Sequence, residues 1–436
     1  MIQSASNTYL CPGERHGVSR AVHRARLAAG YDACRECPHR GDTAGLPRRQ
    51  IERLEQIRVA KRPLDLFHPE GAGGRYLNLL DAAAVRRLAM AHAKLLRAGT
   101  AAVAGDYCVV VGHDGRSETA ELAVAARDGL RFFGCPPHDR GATTTADIAR
   151  RIAAEGAAGG MFVGNDSAET GRIAIRFFGP LGQPLSAGDG ATGKQLFGGS
   201  LDRIAEAYHR PPSRPVRSGS DQRGESCPPE GLIVSDQGGR TLRFVLDTGN
   251  RYLRRFIPAA SGGHHALIQP AEERVAHRLG VGRGPLAAAV IRQQADFGIW
   301  IDGHGEQCRI VDERGADVSA ELLTALLAVE VAGSTKRPVI VLEPATAKPV
   351  VALLKRVAQV RRGHPRCEAM FARMAETEAA FGGGPSGRFW FGGPTPTSDA
   401  AGALRLLLKT LQAAREPLSS LLDHLEQQTY DRSKAA

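Results

Sequence analysis

Lysine is scarce in this 436-residue chain: eight of its 57 basic side chains are Lys, so nearly all the positive charge sits on Arg. Aromatic residues are few as well, at 5%, which suits tight loops and small-residue helices. No apolar run approaches the roughly 20 residues that a bilayer span requires. The opening MIQSASNTYL has neither the basic start nor the apolar centre of a secretory leader. The expectation is a cytoplasmic protein with no membrane partner. Cysteine, at eight residues, is too sparse for a disulfide-held scaffold of this length.

What is abundant narrows the class. Gly, at 51 residues, exceeds its usual share of about 7%, which suits a chain with many tight loops. An apolar content of 42% and a charged content of 24% are those of globular protein and exclude wholesale disorder. The net charge of +11 is spread through dispersed Arg pairs such as Arg86 with Arg87, Arg150 with Arg151 and Arg361 with Arg362. A solvated basic surface is expected from this spread, and no nucleic-acid partner.

A chain this long folds as several domains. Residues 1–48 read as a small Cys/His head and 49–64 as a linker helix. The first α/β unit covers 65–208, with strands at 107–111, 161–163 and 173–178 and helices at 82–97 and 146–154. Pro, Ser, Gly and Arg dominate 209–231, which reads as an interdomain linker. A second unit follows over 232–308 and a third over 309–427, ahead of a polar tail at 428–436. Strands alternating with helices predict mostly parallel sheets covered by helices.

Five segments stand out in order: VVVGHDGRSETAELAVAARDGL (109–130), GGMFVGNDSAETGRIAIRFFGPLGQPLS (159–186), FVLDTGN (244–250), FGIWIDGHGEQCRIVDERG (297–315) and FGGGPSGRFWF (381–391). In this order they resemble the α-D-phosphohexomutase family: phosphoglucomutase, phosphomannomutase and phosphoglucosamine mutase. The first resembles that family's opening strand and Gly-Arg-Asp-x-Arg turn, where Asp114 and Arg116 are read as fixing the turn. The second resembles its active-serine loop and the hairpin after it, the third the opening strand of its second domain. The fourth resembles its metal loop and the fifth its sugar-recognition loop. Over about 65–427 the resemblance implies an α/β fold of three consecutive α/β/α phosphohexomutase-type domains, and a phosphoglucomutase- or phosphomannomutase-like role in carbohydrate metabolism.

The chemistry implied by the resemblance is altered at every site. Where the family places a nucleophilic Ser in a Thr-Ala-Ser-His-Asn-Pro loop, this chain has Asn165, which cannot carry a phosphoryl group. Ser167 serves as nucleophile only if the loop slips by two residues; otherwise it is a polar loop Ser. The family's three Mg²⁺ carboxylates are here Asp302, His304 and Glu306, a set better suited to Zn²⁺, Mn²⁺ or Fe²⁺. The alternative is a vestigial loop with solvated side chains. The sugar loop keeps Ser386 and Gly387, but Gly384 stands at its Glu position and Arg388 at its His position, which favours an anion. The family's fourth domain, with its phosphate-clamping Arg-x-Ser-Gly-Thr-Glu-Pro loop, is expected to be lacking. The reading is of a catalytically degenerate mutase homologue that takes a phosphosugar, another small anion or a protein partner in the former cleft. Two alternatives remain: an active intramolecular phosphotransferase with a changed metal loop, and a metal-stabilised interaction module.

The head holds Cys11, His16, His23, Cys34, Cys37 and His39. A Cys-x-x-Cys pair with a distant Cys and one His, here His16, supplies the four vertices of a structural zinc site. An iron-sulfur cluster on three Cys and three reduced thiols in a helical cap are the other readings.

Overall fold

The computed structural model describes residues 8–11, 16–29, 31–34, 37–43, 45–48, 51, 66–99, 107–165, 172–188, 200–210, 222–223, 240–260, 264–268, 284–364 and 366–433. All but residue 51 of the linker helix expected over 49–64, Ser167 and most of the 209–231 segment lie outside them.

The first unit is a seven-stranded sheet in the order Phe67–His68, Gly71–Arg75, Arg172–Phe178, Gly159–Asn165, Val109–His113, Pro137–Ala142 and Gln222–Arg223. Val109–His113 is flanked by parallel partners on both sides. Its first three residues, all Val, are fully buried, as expected of a strand covered by helices on both faces. Helix Ala82–Gly99 turns Val85, Leu88, His92 and Leu96 inward at helical spacing. Thr144 caps helix Thr145–Glu155 by accepting from the Asp147 amide, and Gly156 ends that helix in the left-handed conformation. Gln222 and Arg223, inside the segment read as a linker, pair with His138 and Asp139. That segment therefore contributes an edge strand, made by backbone pairing that composition does not signal.

The second sheet runs His265–Ile268, Arg243–Thr248, Phe297–Ile301, Cys308–Asp312, Asp317–Val318. The third runs Gln359–Arg362, Val339–Leu342, Phe381–Gly383, Trp390–Phe391, Thr397–Ser398. Because Cys308–Asp312 pairs antiparallel with Phe297–Ile301, the second unit extends through Val318, and its division from the third falls later than residue 308. One apolar core, from Leu242 to Leu422, is continuous across both units, while the first has its own.

The three sheets share a device. In each, a parallel strand near the centre turns back into an antiparallel neighbour: Gly159–Asn165 into Arg172–Phe178, Phe297–Ile301 into Cys308–Asp312, Phe381–Gly383 into Trp390–Phe391. The loops read as metal and sugar loops are turns of these hairpins, and Asn165 ends the strand that leads into the nucleophile-like loop. Among the described residues no helix is long and apolar enough to cross a membrane.

Candidate functional site

Asn165 ends its strand with its amide donating to Asp114 Oδ2 at 2.9 Å. Asp114 is buried and also accepts from the Thr119 hydroxyl at 2.6 Å and the Arg116 amide at 3.1 Å. Its side chain thus fixes its own turn and the end of the nucleophile strand together. Arg116 Nε reaches the Gly249 carbonyl at 3.3 Å, tying that turn to the second unit. Gly303 sits directly against Asn165: a Cβ there would lie 2.7 Å from the Asn165 carbonyl oxygen. Gly303 of the neighbouring loop thus packs against the half-buried position of the family's nucleophile.

Asp302, His304 and Glu306 are all buried, at 4%, 3% and 6% exposure, which corrects the expectation of solvated side chains. They do not converge. Asp302 Oδ1 accepts from the amides of Glu306 at 2.8 Å and Gln307 at 3.1 Å, closing its own turn. Burial, with the Glu306 charge adding to it, pushes its carboxyl up to about 7. His304 Nδ1 is 3.8 Å from Asp302 Oδ2 and its ring lies 5.6 Å from that of Phe162. Glu306 faces away, 3.2 Å from Arg176 Nη2 and 3.6 Å from Arg388 Nη2. Burial opposes its ionisation, but the two guanidiniums outweigh burial and hold its carboxyl below the usual range. Among the described residues no three His, Cys, Asp or Glu side chains are gathered as a metal-holding group.

The sugar-like loop is zipped to this one by a backbone bridge between Gln307 and Arg388 and by the Cys308 amide donating to the Gly387 carbonyl at 3.0 Å. Gly384, at the family's Glu position, leaves room for another carboxylate: a Cβ there would be 2.8 Å from Glu343 Oε2. Glu343 is consumed locally, accepting from the Ser386 amide at 3.0 Å and from the Ser386 hydroxyl. Arg388 leaves the loop altogether. Its Nη1 and Nη2 lie 3.1 and 2.6 Å from the two carboxylate oxygens of Glu70, a bidentate fork.

Glu70 also lies 3.1 Å from Arg176 Nη1 and accepts from the Cys367 thiol at 3.3 Å. Burial opposes its ionisation too, but Arg176 and Arg388 outweigh burial and hold the carboxyl far below the usual range. Half-buried Glu70 and buried Arg176, Glu306 and Arg388 thus form one charge-balanced network drawn from all three units. Glu70 and Arg176 escaped the sequence reading. The available signals were a lone acid between Pro69 and Gly71, and a charge inside the otherwise apolar run Ile173–Phe178.

In the head, Cys11, Cys34 and Cys37 carry free thiols and are buried, whereas His16 is exposed. Burial pushes the Cys34 thiol up to about 11, with Cys37 and Cys11 adding to the shift. His23 is fully buried, stacked on Tyr9 at 4.3 Å, with its Nε2 3.2 Å from the His39 carbonyl.

Residues 65–189 match the family model described as phosphoglucomutase/phosphomannomutase, alpha/beta/alpha domain I. The chain is 27% identical over 290 residues to a phosphoglucosamine mutase of Paenarthrobacter aurescens, a match covering 63% of this chain and 62% of the relative. It is 24% identical over 333 residues to that of Symbiobacterium thermophilum, covering 73% and 72%. The match thus spans less than two thirds of the first relative's length. A crystal structure of a phosphoglucomutase/phosphomannomutase family protein from Burkholderia thailandensis has the same fold, with a TM-score of 0.66 at 20% identity over 83% of this chain and 79% of that one.

Proposed function

We infer that this chain, which belongs to the α-D-phosphohexomutase family, keeps the family's fold and has lost phosphoryl transfer. Transfer through a covalent intermediate needs an oxygen nucleophile at the loop tip and a cation that neutralises the moving phosphoryl group. Asn165 supplies no such oxygen, and Gly303 packs against it. Asp302 closes its own turn, and Glu306 serves two arginines instead of an ion. Ser386 and Arg388 are engaged by Glu343 and Glu70. The Glu70, Arg176, Glu306 and Arg388 network carries this reading, because it engages Glu306 of the metal-like loop and Arg388 of the sugar-like loop with the chain's own charges.

The retained role is that of a non-transferring relative of the carbohydrate mutases, with an arginine-lined centre in place of a catalytic one. A coupled assay for conversion of glucose 1-phosphate to glucose 6-phosphate, run in Mg²⁺, Mn²⁺ and Zn²⁺, tests it. No turnover above a protein-free control is expected with any of the three. Turnover that disappears in His304→Ala would establish instead an active mutase with a changed metal loop.

A further inference from the structure

We propose that Arg176 and Arg388 form a site for a tetrahedral oxyanion, such as phosphate or a phosphate monoester, and that Glu70 fills it as a built-in substitute ligand. This rests on the reading above that the centre no longer transfers phosphoryl groups.

The placement is fixed by the fold. Glu70 stands between the paired strands Phe67–His68 and Gly71–Arg75, and the second of these pairs with Arg172–Phe178, with Ala72 opposite Ile175. That register sets Glu70 beside Arg176, whose Nη1 also donates to the Glu70 carbonyl at 2.8 Å. Arg388 arrives from the third unit, 318 positions along the chain. The Arg388 fork and Arg176 Nη1 converge on one carboxylate, as cationic donors do in recognition of a bound anion.

Charge is balanced there, but the donors are not all used. Arg176 and Arg388 are each only 9% exposed, and the Nε atom of each is buried with no hydrogen-bond partner among the described residues. A buried N–H left unpaired is costly, and a planar carboxylate offers two oxygens on one edge. A tetrahedral oxyanion presents three or four oxygens in different directions and can meet Nε and Nη donors of both forks at once. The crevice beside Glu306 and Cys367, bounded also by Phe178, Trp390 and Ser398, holds about 20 Å³, room for one water.

The test is calorimetric titration of inorganic phosphate, and separately of glucose 6-phosphate, into the full-length wild type, Glu70→Ala and Glu70→Gln at constant ionic strength. Thermal unfolding is followed in phosphate and in chloride. Wild type is expected to bind neither ligand measurably. Glu70→Ala should bind at least one of them about tenfold or more tightly than wild type, at one per chain, and should regain Tm in phosphate but not in chloride. The gain should vanish in Glu70→Ala/Arg388→Leu. Binding of phosphate alone marks a site for the free ion, and binding of both marks one that admits a phosphate monoester. If folded Glu70→Ala and Glu70→Gln bind no better than wild type, or wild type binds equally well, the proposal falls. Should neither variant fold in chloride, recovery of soluble folded protein in phosphate takes the place of titration, and absence of that recovery overturns the proposal. None of these readouts depends on phosphoryl transfer, so turnover in the mutase assay would sink the loss of activity while leaving this result to be judged separately.

Discussion

Asp147 shows how one side chain at a three-way junction reports on its surroundings. It lies in the first turn of helix Thr145–Glu155, 3.2 Å from Arg150, which in turn bonds Asp399 and Thr397 of the third unit. Burial, with Asp399 adding to it and Arg150 opposing, pushes its carboxyl up to about 6. A carboxyl raised in the folded state contributes stability that is full below its unfolded value near 4 and is lost as pH rises through 6. Asp147→Asn cannot titrate, so its stability relative to wild type should improve steadily from pH 4 to pH 7 in urea unfolding. A constant difference across that range would mean that Asp147 is not shifted. Glu70 and Glu306 work in the other direction: their depressed carboxyls stabilise above about pH 4.5 and lose that contribution as pH falls. Glu70→Gln should therefore blunt the acid limb of the stability curve.

Single residues also mark where reading from sequence stops. The departures at Asn165, His304, Gly384 and Arg388 were visible because they fall at fixed offsets in recognised loops. Their consequences were not visible, since Glu70 and Glu343 reach those loops from other strands. A carboxylate that arrives through space leaves no spacing pattern.

At the level of elements, hairpin turns govern the site, and they are stiff. The strands Gly159–Asn165 and Arg172–Phe178 contain the runs 161–163 and 173–178 read from the sequence, because β-branched and aromatic runs bounded by turns state themselves plainly. The two-residue strands Phe67–His68 and Gln222–Arg223 do not, since pairing partners define them more than composition does. Gly303→Ala tests the stiffness: its Cβ would meet backbone of Asn165 at 2.7 Å, so one of the two turns must shift. A loss of about 1–3 kcal/mol in urea unfolding is expected; wild-type stability would mean that the Asn165 turn yields freely. For the head, the zinc reading on Cys11, Cys34, Cys37 and His16 requires about one zinc per chain, lost in Cys34→Ser/Cys37→Ser, whereas the described residues gather no such donor group. Metal analysis giving the same content for both proteins contradicts that expectation.

Across the whole molecule, the first unit is fastened to the third as well as to the second. Ser186 donates to Glu368 through its amide and hydroxyl at 2.7 and 2.8 Å, and Arg366 reaches the Ala187 carbonyl at 2.7 Å. The shared core of the second and third units and these ties hold the metal-like turn against the sugar-like turn, through the Gln307–Arg388 bridge, and against Asn165, through Gly303. The order of domains was legible because the five motifs follow one another along the chain. How the domains close on one another was not, because it depends on pairs as distant as Glu70 and Arg388. Arg388→Met leaves Glu70 and Glu306 with Arg176 alone, and should cost about 3–5 kcal/mol as a broken buried ion pair. Combining it with Glu70→Gln should cost clearly less than the two changes summed. Additive costs would show that the two side chains do not act as a pair.

The central claim is that the fold persists without its phosphoryl-transfer chemistry. Intact-mass measurement of the full-length protein after incubation with glucose 1,6-bisphosphate and Mg²⁺ tests it most directly. The account predicts an unchanged mass, and a gain of one phosphoryl group located on Ser167 would contradict it.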